Sequence, residues 1–206
     1  MSRRSAAERL RADGQPIGEV YLEREEIAAR VAELGREIAA AYTGRMPLLV
    51  APLKSSTVFL ADLSRALDLD HEIDVIELAP YSSGGPGGGV RLLKDLDCPL
   101  EGRDVLLIED VVDTGLTLAF LTRCFAERRP ASLAAVTLLD RPYRRLVEDI
   151  SLRHIGFTVP DELFAGYGLG LDERWRSLPD LHVVEVEELP AHLTGDSYRR
   201  PSRRAA

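Results

Sequence analysis

Cysteine is scarce, cationic charge is in the minority, and no long apolar run occurs in this chain of 206 residues. Each lack excludes something. Two cysteines, Cys98 and Cys124, provide neither a disulfide framework nor a zinc cluster; they fit a reducing compartment and read as inert packing or surface thiols. Lys and Arg number 26 against 34 Asp and Glu, a net charge of −8. Broad nucleic-acid binding needs the opposite balance, because a phosphate backbone is held chiefly by excess cations. No stretch approaches the roughly 18 apolar residues of a membrane span, and the amino terminus lacks the apolar centre of a signal peptide. We therefore expect a cytoplasmic protein with neither a membrane nor a nucleic-acid partner. The length suits one domain, with room for a small lobe and a sizeable core.

What is present concentrates in residues 105–117. Val105-Leu106-Leu107-Ile108 is apolar, branched and too short for an ordinary helix, which reads as a buried parallel strand. It runs into Glu109-Asp110-Val111-Val112-Asp113-Thr114-Gly115-Leu116-Thr117, after which Leu118, Leu121 and Phe125 recur at helical spacing. Strand, loop and helix put Asp113 to Thr117 at the carboxyl edge of a sheet, where open α/β folds bind ligands. Free helix-end amides, a glycine that permits close approach and two threonine hydroxyls suit a phosphate dianion. Glu109 and Asp110 would repel that phosphate unless they hold a cation or the hydroxyls of a sugar. The motif thus implies a phosphorylated sugar with a divalent metal.

The same grammar recurs along the chain. Residues 23–42 carry Ile27, Val31, Leu34, Ile38 and Tyr42 on one helical face, with Gly44 as a C-cap. Residues 46–53 read as a buried strand ending in Lys54-Ser55-Ser56-Thr57, before a helix marked by Phe59, Leu63 and Leu67. Lys54 and that helix's amino end suit a second anion, although a solvated lysine is also consistent with the pattern. Residues 74–79 form a further strand, followed by a glycine-rich stretch, 80–89, which is either a lid or a loose hairpin tip. Residues 132–139 form another strand, ending in Asp140-Arg141-Pro142-Tyr143-Arg144-Arg145, a basic turn by charge pattern alone.

With these residues quoted, the acid pair and Asp113-Thr114-Gly115-Leu116-Thr117 resemble the phosphoribosyl diphosphate (PRPP) motif of type I phosphoribosyltransferases. Gly156-Phe157-Thr158-Val159-Pro160-Asp161 and Gly166-Tyr167-Gly168-Leu169 are similar to the hypoxanthine-guanine branch of that family. The resemblance covers roughly residues 20 to 185. It implies an α/β fold, a mostly parallel sheet flanked by helices with a small hood. An arm over residues 1–18, a phosphoribosyltransferase domain over 19–190 and a basic tail over 191–206 follow, with the hood drawn from the arm and about 156–190. It further implies purine salvage: transfer of 5-phosphoribosyl from PRPP to hypoxanthine or guanine, with Mg²⁺ as cofactor, in a homodimer or homotetramer.

Residue by residue, the resemblance places the 5′-phosphate on Asp113, Thr114, Gly115, Leu116 and Thr117, and the ribose and metal on Glu109 and Asp110. It places pyrophosphate on Lys54, Ser55 and Arg176, the purine on Arg141, Leu163 and Phe164, and a lid contact on Tyr81. Asp113 is the expected general base for the purine N7 proton, with a helix N-cap as its plain structural alternative. Four positions depart from the pattern. Ser55 replaces a glycine, which would strain a backbone of positive φ. Pro80 replaces a serine. Leu163 replaces a stacking aromatic, with Phe164 able to swing in instead or both serving as hood core. Gly170 replaces an aspartate that helps hold magnesium, with Asp172 two residues on. Arg141 also stands where the family has lysine, a change of shape at constant charge. These departures leave two other readings open: a PRPP or nucleotide sensor with little turnover, and the same reaction on another purine such as xanthine.

Overall fold

The computed structural model describes residues 6–80, 90–148, 150–171 and 173–185. Of the expected lid only Pro80, the last residue of β3, lies within them; Tyr81 and residues 82–89, Asp172 and the expected basic tail lie outside. In chain order the elements are α1 (Ala6–Ala12), β1 (Ile17–Leu22), α2 (Arg24–Ala41), β2 (Leu48–Leu53), α3 (Ser56–Ala66), β3 (Glu72–Pro80) and β4 (Val90–Lys94). They continue with β5 (Asp104–Val112), α4 (Leu116–Ala126), β6 (Ser132–Asp140), a 3₁₀ turn (Pro142–Arg144), β7 (Leu152–Thr158), β8 (Phe164–Ala165) and β9 (Leu181–Val184). Two compact units result: one from Glu25–Asp161, the other from the chain up to Arg24 together with that from Glu162.

The larger unit is a six-stranded sheet of order β4-β3-β2-β5-β6-β7. β2, β3, β5, β6 and β7 pair in parallel, while β4 pairs antiparallel with β3 at the edge. β5 reads as an unbroken apolar run because both its faces are covered: Val105, Leu106, Leu107 and Ile108 are all fully buried. Leu118, Leu121 and Phe125 of α4 pack with Leu48, Val50, Val105 and Leu107 in one core. On α2, Ile27, Val31, Leu34 and Ile38 are buried as their spacing predicts. Gly35 lies so close to Ala66 that an added Cβ would stand 2.5 Å from the Ala66 carbonyl oxygen, which lets α2 and α3 cross tightly.

From β2 the chain goes to β3 on one side and later returns to β5 on the other. The sheet therefore reverses its winding between β2 and β5, the place where such folds hold ligands. Those two strands pair only from Leu48↔Val105 to Val50↔Leu107, whereas β2 and β3 pair over six positions. The carboxyl ends of β2 and β5 thus part, and Lys54 and the acid pair lie on the two banks.

The smaller unit has a three-stranded antiparallel sheet, β1-β9-β8. Its core is Ala7, Ile17, Ala165, Leu171, Trp175, Leu178 and Val184. Residues 156–158, expected to open the hood, are instead the end of β7, the last strand of the large sheet, and the chain joins the smaller unit at Glu162. Among the described residues no helix is long and apolar enough to cross a membrane.

Candidate active site

Glu109 and Asp110 lie within β5 rather than beyond it, both buried. Successive side chains of a strand leave opposite faces of the sheet. Asp110 turns to the start of α3, where Ser56 Oγ donates to its Oδ1 at 3.1 Å. Burial pushes the Asp110 carboxyl above its ordinary value, and the hydroxyls of Ser55 and Ser56 oppose that rise. Glu109 has no such help. Its Oε1 is buried without a hydrogen-bond partner, and burial, reinforced by the Asp110 charge, pushes its carboxyl well above the usual range. A cation or a sugar hydroxyl would supply the missing partner, and a hard carboxylate oxygen suits Mg²⁺.

Gly115 caps α4 at φ 80°, a left-handed conformation that a glycine adopts without strain. A Cβ there would stand 3.0 Å from Arg145 Cδ. The helix's first bond runs from the Ala119 amide to the Gly115 carbonyl, so the amides before Ala119 have no partner within the helix. Thr114 Oγ1 accepts weakly from the Leu116 amide at 3.4 Å, and Thr117 sits one residue inside the helix. Such a cluster of helix-end amides suits an anion. Asp113 does not cap the helix; its carboxylate faces Arg141 and Arg144 at 3.5 and 3.6 Å, and its other oxygen is buried without a partner.

Across the parting strands, Lys54 is exposed and follows a cis Leu53–Lys54 peptide bond. Ser55 adopts φ −64° and ψ −39°. The positive φ that would have strained a serine is absent, and the hydroxyl that replaces a bare glycine donates to Asp110. Arg141 is not a surface turn: it is buried, its Nη2 donating to Asp161 Oδ1 at 2.6 Å.

In the smaller unit, Leu163 packs against the core of that unit and its carbonyl accepts from the Val184 amide. Phe164 is buried with its ring centroid 4.8 Å from that of Tyr21. Phe164 is hood core and Leu163 lies half-buried beside the core; a Phe164 swung out to stack would abandon Tyr21. At Gly170 an added Cβ would stand 2.8 Å from the Arg174 carbonyl oxygen and 2.8 Å from Arg176 Cγ. Arg176 folds over that glycine, Nη1 donating to the Gly168 carbonyl at 3.0 Å and Nη2 lying 3.4 Å from Glu173. A guanidinium fills the space of a carboxylate. Position 170 therefore offers a metal no side-chain ligand, whereas the buried Glu109 oxygen without a partner suits one.

Sequence reasoning missed Asp161 and Arg144. Asp161 Oδ1 accepts from Arg141 and also lies 2.9 Å from Arg144 Nε in an ion pair. The cue was in plain view, an acid after Val159-Pro160 and three arginines after Asp140, but nothing local says that the two segments meet.

A winding switch with unpaired helix-end amides at one strand end and a buried acid pair behind them defines an α/β protein of the kind that holds ligands at its strand ends. The chain belongs to the phosphoribosyl transferase domain family, whose model matches residues 19–163. It is 46% identical over 176 residues to the hypoxanthine-guanine phosphoribosyltransferase of Mycobacterium avium, covering 82% of this chain and 86% of that one. It is 41% identical over 172 residues to the bifunctional protein TilS/HprT of Listeria monocytogenes, and there the match takes in 83% of this chain but spans about a quarter, 26%, of the longer protein. Among solved structures, a hypoxanthine phosphoribosyltransferase from Staphylococcus aureus superposes with a TM-score of 0.79 at 37% identity, covering 84% of this chain and 94% of that one.

Proposed function

We propose that this chain transfers 5-phosphoribosyl from PRPP to hypoxanthine or guanine, releasing pyrophosphate and giving the nucleoside 5′-monophosphate, a step of purine salvage. The observation that carries this reading is the backbone anion site at Gly115 with Glu109, buried and lacking a partner, just behind it on β5. The names of the relatives supply the base. Amides and hydroxyls from Asp113 to Thr117 hold the 5′-phosphate. Glu109 and Asp110 orient the ribose hydroxyls and hold Mg²⁺, which when bound supplies countercharge to the departing pyrophosphate. Lys54, Ser55 and Arg176 contact that pyrophosphate, Arg141 the exocyclic oxygen of the purine, and the Phe164 backbone its edge. Leu163 packs beneath by dispersion, and Tyr81 belongs to the lid.

Catalysis is positional and electrostatic. As the glycosidic bond to pyrophosphate breaks, negative charge grows on the leaving group and positive charge on the sugar, and preorganised charges stabilise both. Asp113 accepts the N7 proton of the purine through the oxygen that no protein group engages. A homodimer or homotetramer in the cytoplasm belongs to the same reading and rests on the resemblance. The test is nucleotide formation by the purified protein given PRPP, Mg²⁺ and, separately, hypoxanthine, guanine, xanthine or adenine. IMP or GMP is the expected product. No product with any base, while PRPP still raised the melting temperature, would replace the transferase by a sensor.

A further inference from the structure

Two guanidiniums in the larger unit each face two carboxylates. Arg141 reaches Asp161 through Nη2 at 2.6 Å and Asp113 through Nη1 at 3.5 Å. Arg144 reaches Asp161 through Nε at 2.9 Å and Asp113 through Nη1 at 3.6 Å. The asymmetry is consistent: both arginines lie closer to Asp161 than to Asp113, Arg141 in a hydrogen bond and Arg144 in an ion pair, and both stand at or beyond the limit of a hydrogen bond from Asp113. Arg145, the third arginine of the turn, is taken by Asp140.

We propose that Asp161 is a positioning residue for the transfer reaction: it is the counter-ion that draws Arg141 and Arg144 off Asp113 and so leaves that carboxylate able to take a proton from the base. The inference rests on the transferase reading above. Asp161 touches neither substrate in this account and acts through the two arginines. With Asp161 neutralised, Asp113 is the nearest remaining anion for both guanidiniums. Paired twice over at hydrogen-bonding distance, it would be a poorer proton acceptor.

The experiment compares kcat and the KM values of wild type with those of Asp161→Asn, Asp161→Glu and the double variant Asp161→Asn with Arg144→Met. Asp161→Asn is expected to lower kcat by about ten- to a hundredfold with KM for PRPP within about twofold, since a general base is worth 10²–10⁴ in rate. Asp161→Glu, which restores the counter-ion, is expected to keep kcat within a few-fold of wild type. The double variant is the decisive arm. Removing one freed guanidinium should return part of the lost kcat, whereas a residue needed only for packing would give a double variant no better than the single one. The double variant keeps the charge of the turn balanced, so it serves alone should Asp161→Asn fail to fold. A kcat within about tenfold of wild type then supports the proposal, and a loss as deep as that of Asp113→Asn overturns it. Wild-type kcat in Asp161→Asn overturns the proposal while leaving the reaction intact. A wild-type protein that makes no nucleotide overturns the reaction, and the proposal with it.

Discussion

Two loops of this molecule are expected to receive phosphate oxygens, and they are built in opposite ways. The loop after β5 leaves its polar groups open: amides at the start of α4 without helical partners, an Asp113 oxygen and a Glu109 oxygen buried with none. The loop after β8 closes on itself. Its guanidinium at Arg176 donates to the Gly168 carbonyl, lies near Glu173 and covers Gly170, and Tyr167, Glu173 and Trp175 all carry positive φ. The first loop leaves its helix-end amides without helical partners and an Asp113 oxygen without any, at a cost in stability; the second spends the Arg176 Nη groups on its own backbone and on Glu173, although Arg176 Nε and Trp175 Nε1 stay buried without partners. Binding groups and folding groups therefore compete for the same atoms, and each loop has resolved the competition differently.

The largest effect that would sharpen this contrast is on the open loop. Asp113→Asn should cut kcat by about 10²–10⁴ while PRPP still protects the protein in thermal melts. Equal loss of binding and turnover would mean that Asp113 holds the ligand rather than the proton. On the closed loop, Gly170→Asp should not create a metal site. Its Cβ meets a backbone oxygen at 2.8 Å, so about 1–3 kcal/mol of stability should be lost, seen as a fall of several degrees in Tm. Tighter Mn²⁺ binding by calorimetry at unchanged Tm would break the comparison.

Glu109→Gln tests the cost of staying open. Burial raises this carboxyl in the folded state, so between its unfolded value near 4.5 and its higher folded value the native protein holds the extra proton. Stability must fall as pH rises across that window. The unliganded variant should lose this slope and be more stable than wild type near neutral pH, by roughly 1–3 kcal/mol, while binding PRPP more weakly. Melts from pH 5 to 8 with and without PRPP decide it; a less stable variant would mean that Glu109 is already satisfied. The smallest effect is expected from Ser56→Ala, which removes one donor to Asp110 and should cost about 1 kcal/mol, read by urea titration.

The open loop was legible in the sequence and the closed one was not. Strand β5, its acids, Gly115 and the apolar stripe of α4 are consecutive, so one stretch of chain states both the fold and the chemistry. The same holds for α2 and for β2 with Lys54. The small sheet joins β1 to β9, pairing Ile17 with Val184 across most of the chain, and its strands are too short to show a period. Phe164 looked available for stacking because Tyr21, its partner, lies on the far side of the sequence. Asp113 looked like a cap because capping residues are usually acids or hydroxyls, yet Gly115, in a left-handed turn, ends the helix instead. Asp161 stood in a quoted motif, but its pairing had no local sign: that depends on β7 ending beside the turn that follows β6.

The early parting of β2 and β5 reaches beyond geometry. A parallel sheet normally gains cooperativity by stitching every strand to the next along its length, but here the central seam holds for three residue pairs and then opens. A sugar phosphate lodged at the mouth of that seam would be, mechanically, the missing stitch. Ligand binding and sheet completion then become one event. The halves on either side of the seam, β4-β3-β2 and β5-β6-β7, should breathe as separate sheets when empty and as a single one when filled.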